Sequence, residues 1–581
     1  MSSAQHELLQ QACSLLSQNK LLEAVTSLEQ IVAEEPSNQQ ALYLLGQTLA
    51  KLKQWQKAIP VLQKVVACDS ANAHACYCLA YCFESIKSYA EAMTLYKQVI
   101  HLDIDYWKAY TRIANILLSD TQESLAIKYL VEAEKINGPD LDTYKAFSQA
   151  YQRLGVYDMA YQYCEHAYDM TPHKDLLAVL IFLSHYNPNK GLVDFRELAE
   201  EYNAKFLSGK NSSYEHSQRK IKPKIRLGFV SADFRNHPVS SYLISVFKSI
   251  NKEDFEIYLY YNGEKVQEQT ELLKELADSF SFVKELGDEQ LADQIFAEEI
   301  DILFDMSGHT SGERLGVFKL KPAPIQITHH GYFGTLAIPE IEHIIADDYL
   351  IPKEEEKYFS ENIIRLKSFT HADLYAVSDD QSQAPCLSNG YISFAGMNSV
   401  RKISKEVIET WAEVMKAVPN SKIQLDSRTL TLDANKEYFY KVFEEAGIKR
   451  SRVIIESSLE RADYLSNFHK VDCMLDTFPF GGGTSALEAL MSGVPVLTIE
   501  GDRWVARMGA SILKNIGHEE LIAENREQFI QKAVELAENT ERIAAYRTSL
   551  PAALKKSPLN IESFVRDFEF NLKEVYSKLN L

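Results

Sequence analysis

Small and apolar positions recur along the first 175 residues with a period of 34. Ala24, Ala58, Ala92, Ala126 and Ala160 mark it, each preceded at twelve residues by a small residue (Ala12, Gly46, Ala80, Ala114, Ser148) and followed at four by an apolar or aromatic one (Leu28, Leu62, Tyr96, Leu130, Cys164). Such spacing places the small residues on one face of amphipathic helices, where two helices of a hairpin approach closely, and Pro36 and Pro172 end second helices. The pattern predicts roughly five helix hairpins over 1–174, stacked as a solenoid. Beyond Lys174 the period is lost. Residues 175–222 read as a helical linker: a helical run, a turn at Asn187-Pro188-Asn189-Lys190-Gly191, a helix to Phe206 and a polar stretch at 208–222.

From Ile225 the pattern becomes short buried strands separated by helices. Strands are expected at 225–231, 255–261, 302–304, 325–328 and 343–346, and, after a polar loop at 379–389, at 391–395, 422–425, 453–455, 473–475 and 496–498. Helices are expected at 405–417, 435–446, 462–468 and 484–491 and from Arg503. This alternation predicts parallel sheet. The fold class is therefore α plus α/β: a solenoid at 1–174, the linker, and two doubly wound, Rossmann-like lobes at 223–385 and 386–581. Ligands of such lobes bind at the carboxyl ends of the strands. The period of 34 identifies the array as tetratricopeptide repeats, whose inner groove takes peptides or protein surfaces. Oligomerisation or rigid spacing is the alternative use. Tyr43, Tyr77, Tyr110 and Asn115 are candidates to face the groove, although tyrosines at helical spacing more often pack.

Charge narrows the partners. With 61 basic and 81 acidic side chains the net charge is −20, which argues against an extended nucleic-acid partner and leaves room for a local basic pocket. Met1 to Lys20 carries no signal-peptide core, and the longest apolar run, Leu176 to Leu183, is far short of a membrane span, so the expected location is the cytoplasm. Eight cysteines in this length do not make a disulfide framework. Cys76, Cys78 and Cys82 crowd together, but helical neighbours two apart point away from each other, so packing is expected rather than a metal.

The segment from Leu475-Asp476-Thr477-Phe478-Pro479-Phe480 through Gly481-Gly482-Gly483-Thr484-Ser485 reads as a strand end, a glycine turn and a helix start. Glycines let the backbone approach a bulky anion, Thr484 and Ser485 are expected to cap the helix, and the helix start adds unpaired N–H groups and a positive dipole end. Neither a P-loop nor a dinucleotide fingerprint is present. Taken alone, the segment is equally a tight strand-to-helix connection.

Several long motifs, in order, resemble the O-GlcNAc transferase and SPINDLY group. They are Gly228-Phe229-Val230-Ser231-Ala232-Asp233-Phe234-Arg235-Asn236-His237-Pro238-Val239, Asp305-Met306-Ser307-Gly308-His309-Thr310, Lys321-Pro322-Ala323-Pro324-Ile325-Gln326, Gly331-Tyr332-Phe333-Gly334-Thr335, Lys402-Ile403 before Trp411, the glycine segment, and Gly501-Asp502-Arg503-Trp504-Val505-Ala506-Arg507-Met508-Gly509-Ala510-Ser511. The resemblance implies a GT-B fold, a nucleoside-diphosphate sugar donor, inversion at the anomeric carbon and transfer to Ser or Thr of intracellular proteins. It implies Lys402 as the cation at the diphosphate, helped by Thr484 and Ser485, and Glu488 at the ribose hydroxyls. Ser399, Leu459, Arg461, Tyr464, Gly482 and Gly483 complete the implied nucleotide-sugar site. His237 is the implied cleft histidine, as base or as positioning group. His309, His330, Gly331, Tyr332, Phe333 and Gly334 form the implied sugar and acceptor pocket, and Asp305 is secondary. No Asp-x-Asp occurs in the two lobes, so neither a metal nor another cofactor is expected beyond the donor substrate.

Departures from the family pattern bear on donor identity. Tyr464 stands where many relatives carry histidine, Gly483 where the animal enzymes carry one, and Ser399 replaces a glutamine. Thr328-His329-His330-Gly331-Tyr332-Phe333 has histidines and a phenylalanine where Trp-Leu and Pro are usual; His329 and His330 either touch the sugar or build the loop. The leading expectation is a metal-independent protein O-glycosyltransferase using UDP-GlcNAc on an acceptor held by the array. Alternatives are GDP-fucose as donor, asparagine as acceptor with UDP-Glc, or an inactive repeat scaffold. Homo-oligomerisation is compatible with each.

Overall fold

The computed structural model describes residues 3–209, 214–217, 222–373, 383–427, 430–431 and 433–579. Parts of the expected linker (210–213, 218–221) and of the expected inter-lobe loop (379–382) lie outside the described residues. The chain divides into two compact units, Met1–Ala150 and Tyr151–Leu581.

The first unit is helical. Its hairpins pair Ser3–Ser17 with Leu21–Glu34, Gln39–Lys51 with Trp55–Cys68, Ala73–Ser85 with Tyr89–Leu102, and Trp107–Ser119 with Glu123–Asn137. Ala24, Ala58, Ala92 and Ala126 are fully buried, as are Leu28, Leu62, Tyr96 and Leu130 one turn on, so the period of 34 is the period of the core. A second series with the same period escapes a hydrophobic reading. Asn19, Lys53, Lys87 and Thr121, each in the turn within a hairpin, are left-handed, with φ of 59°, 58°, 64° and 56°. Tyr77 packs against Tyr96 and Tyr106, and Tyr110 against Tyr129, so these tyrosines are at least partly packing residues.

The second unit begins with helices Tyr157–Met170, Lys174–Ser184 and Leu192–Tyr202 and the π-turn Asn203–Leu207. The expected linker is thus, over its helices, a wall of the second unit. His185 Nε2 shares a hydrogen bond with Tyr332 Oη at 2.9 Å, Arg503 donates to Asn187 O at 2.9 Å, and Tyr202 Oη donates to Glu313 at 2.8 Å. Loss of the 34-residue period marks a change of packing partner, not an end of packing.

The first sheet comprises β1 (Ile225–Ser231), β2 (Phe255–Tyr261), β3 (Ser279–Phe282), β4 (Ile302–Asp305), β5 (Ile325–Thr328), β6 (His343–Ala346) and β7 (Asn362–Arg365). It is parallel, in the order β3-β2-β1-β4-β5-β6-β7. The second comprises β8 (Ile392–Gly396), β9 (Ser421–Asp426), β10 (Val453–Glu456), β11 (Cys473–Leu475), β12 (Val496–Ile499) and β13 (Ile522–Ala523), also parallel, in the order β10-β9-β8-β11-β12-β13. Central strands such as β1 are buried along nearly their whole length, which is why they read as apolar runs. The edge strands β3 and β7 are short and partly exposed and were not expected.

The last helix, Ile561–Ser577, departs from the expected boundary at 386–581. Its Phe564, Val565, Phe568 and Leu572 join Phe229, Phe247 and Phe304 in the core of the first lobe, and Glu569 accepts from Asn251 N at 2.6 Å. An amphipathic pattern shows that a helix buries one face but not which sheet receives it.

Candidate active site

Strand order reverses at β1/β4 in one sheet and at β8/β11 in the other, and the loops leaving these strands meet in one cavity of about 1010 Å³. The first lobe contributes Asp233, Arg235 and His237 after β1, His309 after β4, and His329, His330, Gly331 and Phe333 after β5. From the second lobe come Ser399 and Lys402 after β8, Arg461 and Tyr464, then Phe480, Gly483, Thr484, Ser485 and Glu488 after β11. The helical wall adds Gln152, Lys174, Asp175 and Phe182.

The glycine turn is organised around a buried carboxylate. Asp476, 1% exposed, accepts from Gly482 N at 2.8 Å, Asn398 Nδ2 at 2.7 Å and Thr498 Oγ1 at 2.8 Å. A Cβ on Gly482 would lie 3.0 Å from Asp476 Oδ1, and one on Gly481 3.1 Å from Oδ2. Two of the three glycines therefore admit the protein's own anion. At Gly483 a Cβ would meet only Met508, its Sδ at 3.4 Å. The expected caps are not formed: Gly483 is the N-cap of helix Thr484–Met491, and Ser485 Oγ donates to Asn398 Oδ1 at 2.6 Å. The first N–H groups of that helix have no partner within it and border the cavity.

Lys402 ends the short 3-10 turn Val400–Lys402. Its Nζ donates to Gly481 O at 2.7 Å and stands 4.0 Å from the centroid of the Phe480 ring. Burial lowers this ammonium to about 8 against the opposing pull of Asp476, so it is still mostly cationic at neutral pH. Glu488, 3% exposed, is ion-paired with Arg461 at 2.7 Å. Tyr464 Oη donates to Met397 O at 2.8 Å, tying its helix to the loop after β8.

His237 is the N-cap of helix Pro238–Ser249, with its loop pinned by Gln269 Oε1, which accepts from His237 N at 3.1 Å. Its Nδ1 accepts from Val239 N at 3.4 Å and lies 3.8 Å from Asp233 Oδ2. An Nδ1 that accepts leaves the ring proton on Nε2. Burial lowers the His237 pKa, Asp233 opposing and Arg235 assisting, so the neutral ring is favoured. In this tautomer the donor of His237 is Nε2–H.

The other histidines divide. Both His329 and His330 border the cavity; His329 is held by its Nε2 bond to Tyr242 Oη at 2.7 Å, whereas His330 stacks on Tyr242 at 3.9 Å. His309 is buried against Tyr202 and Tyr332 and lowered to about 4 by burial, hence neutral. Asp305 is raised to about 6 by burial and accepts from Ser307 N, Gly308 N and Thr328 Oγ1, which makes it a loop organiser. The loops after β4 and β5 interlock: a Cβ on Gly331 would lie 1.9 Å from Met306 O.

Four expected site residues fall elsewhere. Leu459 is 60% exposed and does not line the cavity. Gly482 faces Asp476, Tyr332 is 2% exposed with its hydroxyl on His185, and Gly334 borders a separate small cleft beside Phe195 and Trp504. Residues not anticipated are Asn398, Phe480 and Asp476, the last two inside the glycine segment. Gln152, Lys174 and Phe182 carry no local signal.

Residues 203–381 and 378–568 match the model of Glycosyl transferase family 41. The chain belongs to this family. Residues 9–73 match the tetratricopeptide repeat. Among its relatives is a probable UDP-N-acetylglucosamine-peptide N-acetylglucosaminyltransferase SPINDLY of Solanum lycopersicum, 28% identical over 369 residues, 61% of this chain and 40% of that protein. The probable enzyme of the same description called SEC, from Arabidopsis thaliana, is 28% identical over 349 residues, 58% of this chain and 35% of that one. The chain spans about two fifths of the length of these curated relatives. A solved structure of an O-GlcNAc transferase mutant from Thermobaculum terrenum aligns over 93% of this chain and 98% of that one, with TM-score 0.70 and 22% identity. The family 41 match spans both lobes, and the structural likeness adds the repeats before them: the motif resemblance and the expected fold class both hold.

Proposed function

We propose that this family 41 member transfers a sugar from a nucleoside diphosphate to a hydroxyl of a protein acceptor, with inversion and without a metal. The observation that carries the reading is the convergence of the Lys402 ammonium and the start of helix Thr484–Met491 on the cavity that His237 and His330 enter from the first lobe. As the acceptor oxygen bonds to the anomeric carbon and the bond from that carbon to the phosphate oxygen breaks, charge develops on the leaving diphosphate, which takes up the acceptor's proton. A half-buried ammonium and oriented N–H groups stabilise this charge without reorganisation. Glu488, fixed by Arg461, is set to accept from the ribose, and His237 Nε2–H to orient a sugar or acceptor oxygen. The repeat array supplies the acceptor-binding surface, with Ser or Thr of a cytoplasmic protein as acceptor and GlcNAc as sugar.

Donor hydrolysis by the purified chain with UDP-GlcNAc, UDP-Glc and GDP-fucose tests the reading. Turnover of UDP-GlcNAc is expected, and intact masses of co-expressed acceptors identify the sugar by the mass added. Preference for GDP-fucose or UDP-Glc replaces the donor and keeps the reaction. Failure to bind or turn over any of the three makes the lobes a scaffold. Among the described residues no helix is long and apolar enough to cross a membrane.

A further inference from the structure

Lys402 is held at its place by more than its own hydrogen bond. Tyr186 stacks on the Phe480 ring at 4.6 Å and 28°, and Tyr157 stacks on Tyr186 at 3.9 Å and 18°. A continuous column of buried rings therefore runs from helix Tyr157–Met170, past the end of helix Lys174–Ser184, to the ring that faces the ammonium. A second contact meets the backbone on either side of the same lysine. Gly155 is left-handed, with φ of 73°, and a Cβ there would lie 3.0 Å from Ile403 O, 3.2 Å from Val400 O and 3.4 Å from Arg401 O. It continues the turn series of Asn19, Lys53, Lys87 and Thr121 at the same 34-residue interval, and glycine occupies the position that abuts the lysine turn.

We propose that Gly155, Tyr157 and Tyr186 are positioning residues for Lys402, so that the helical segment before the lobes sets where the donor-site ammonium stands and how dry it is. The proposal rests on the donor-site reading above. Asp476 faces the ammonium, Phe480 lies against it with Tyr186 and Tyr157 stacked behind that ring, and Arg401, the residue before it in the chain, is the charge that acts on the two phenols, both kept neutral by burial. Removing a ring from the column admits water behind Phe480, and a rehydrated lysine returns toward its ordinary value.

Competitive labelling of the full-length chain with acetic anhydride across roughly pH 6 to 11, read by peptide mass spectrometry, follows Lys402 without any substrate. Lys402 of the unaltered chain is expected to titrate near 8. Tyr186→Phe keeps that midpoint. Tyr186→Leu and Gly155→Ala move it toward 10.5 by roughly one unit or more and lower donor turnover about tenfold at unchanged KM. Gly138→Ala is the control, because Gly138 also holds a positive φ, 74°, but has nothing within 4 Å of its Cβ position; it leaves Lys402 unchanged. Circular dichroism confirms that each variant is folded. Folded Tyr186→Leu and Gly155→Ala proteins in which Lys402 titrates as in the unaltered chain overturn the proposal. An unaltered chain that neither binds nor turns over any donor removes the donor-site reading instead, whatever the labelling shows.

Discussion

At the scale of single residues, Asp476 changes the meaning of the glycine segment. Gly481 and Gly482 are small because a buried carboxylate fills the space a side chain would need, whereas Gly483 opens toward the cavity. Gly482→Ala is therefore expected to lower stability by about 1–3 kcal/mol, the usual cost of overpacking, and to weaken nucleoside-diphosphate binding. Gly483→Ala should stay within about 0.5 kcal/mol. Thermal melts with calorimetric titration of UDP and GDP check both, and equal effects at the two positions would contradict the assignment. Lys402→Ala should reduce donor turnover by about 10²-fold or more, the scale of a lost charge stabiliser. Because burial lowers Lys402 to about 8, its cation is present below that pH and lost above it. Turnover should accordingly fall on an alkaline limb near 8, and a limb near 10.5 would mean a solvated lysine.

At the scale of elements, the repeat hairpins depend on turns that composition hides. Lys87 holds a φ of 64°, which costs an L-residue about 1 kcal/mol or more, so Lys87→Gly should stabilise the first unit by about 0.5 kcal/mol once the greater freedom of glycine in the unfolded chain is deducted. Urea unfolding measures it, and destabilisation would show that the Lys87 side chain contributes more than its backbone strain costs. What was legible in the sequence follows from what each element needs. Ala24 and its series show themselves because close helix packing admits only small side chains, and β1 because a strand buried on both faces must be apolar throughout. The left-handed turns do not, since Asn, Lys and Thr occupy positions where glycine is the usual signal. His237, Lys402 and Glu488 were found through motifs and do line the cavity. Leu459 and Tyr332 show that proximity to a motif does not say which way a side chain points. The caps expected of Thr484 and Ser485 fail because Asn398, remote in sequence, takes the Ser485 hydroxyl. Gln152, Lys174 and Phe182 were not legible, because nothing local distinguishes a helix face that packs on the next repeat from one that lines a cavity in another fold.

At the scale of the whole molecule, the unit boundary at Ala150/Tyr151 says where the chain can be cut. Deleting Met1–Asn137 leaves the helix Leu141–Arg153 and the cavity wall intact, and should spare donor hydrolysis while abolishing transfer to a protein acceptor. Deleting through Lys174 removes Gln152, Gly155 and Tyr157 and should abolish both. Parallel hydrolysis and transfer assays on the two truncations check this, and survival of protein transfer in the shorter deletion would remove the array as acceptor clamp. The last helix sets a different constraint, on how the molecule is made. Phe564 and Phe568 complete a core begun by Phe229, so the first lobe cannot close until helix Ile561–Ser577 has been made. During synthesis the part of helix Pro238–Ser249 that meets helix Ile561–Ser577 stays uncovered on the ribosome for more than three hundred residues. A nascent chain that stalls in that interval is a client for chaperones, and a premature stop before Ile561 damages the lobe furthest from it in the reading frame.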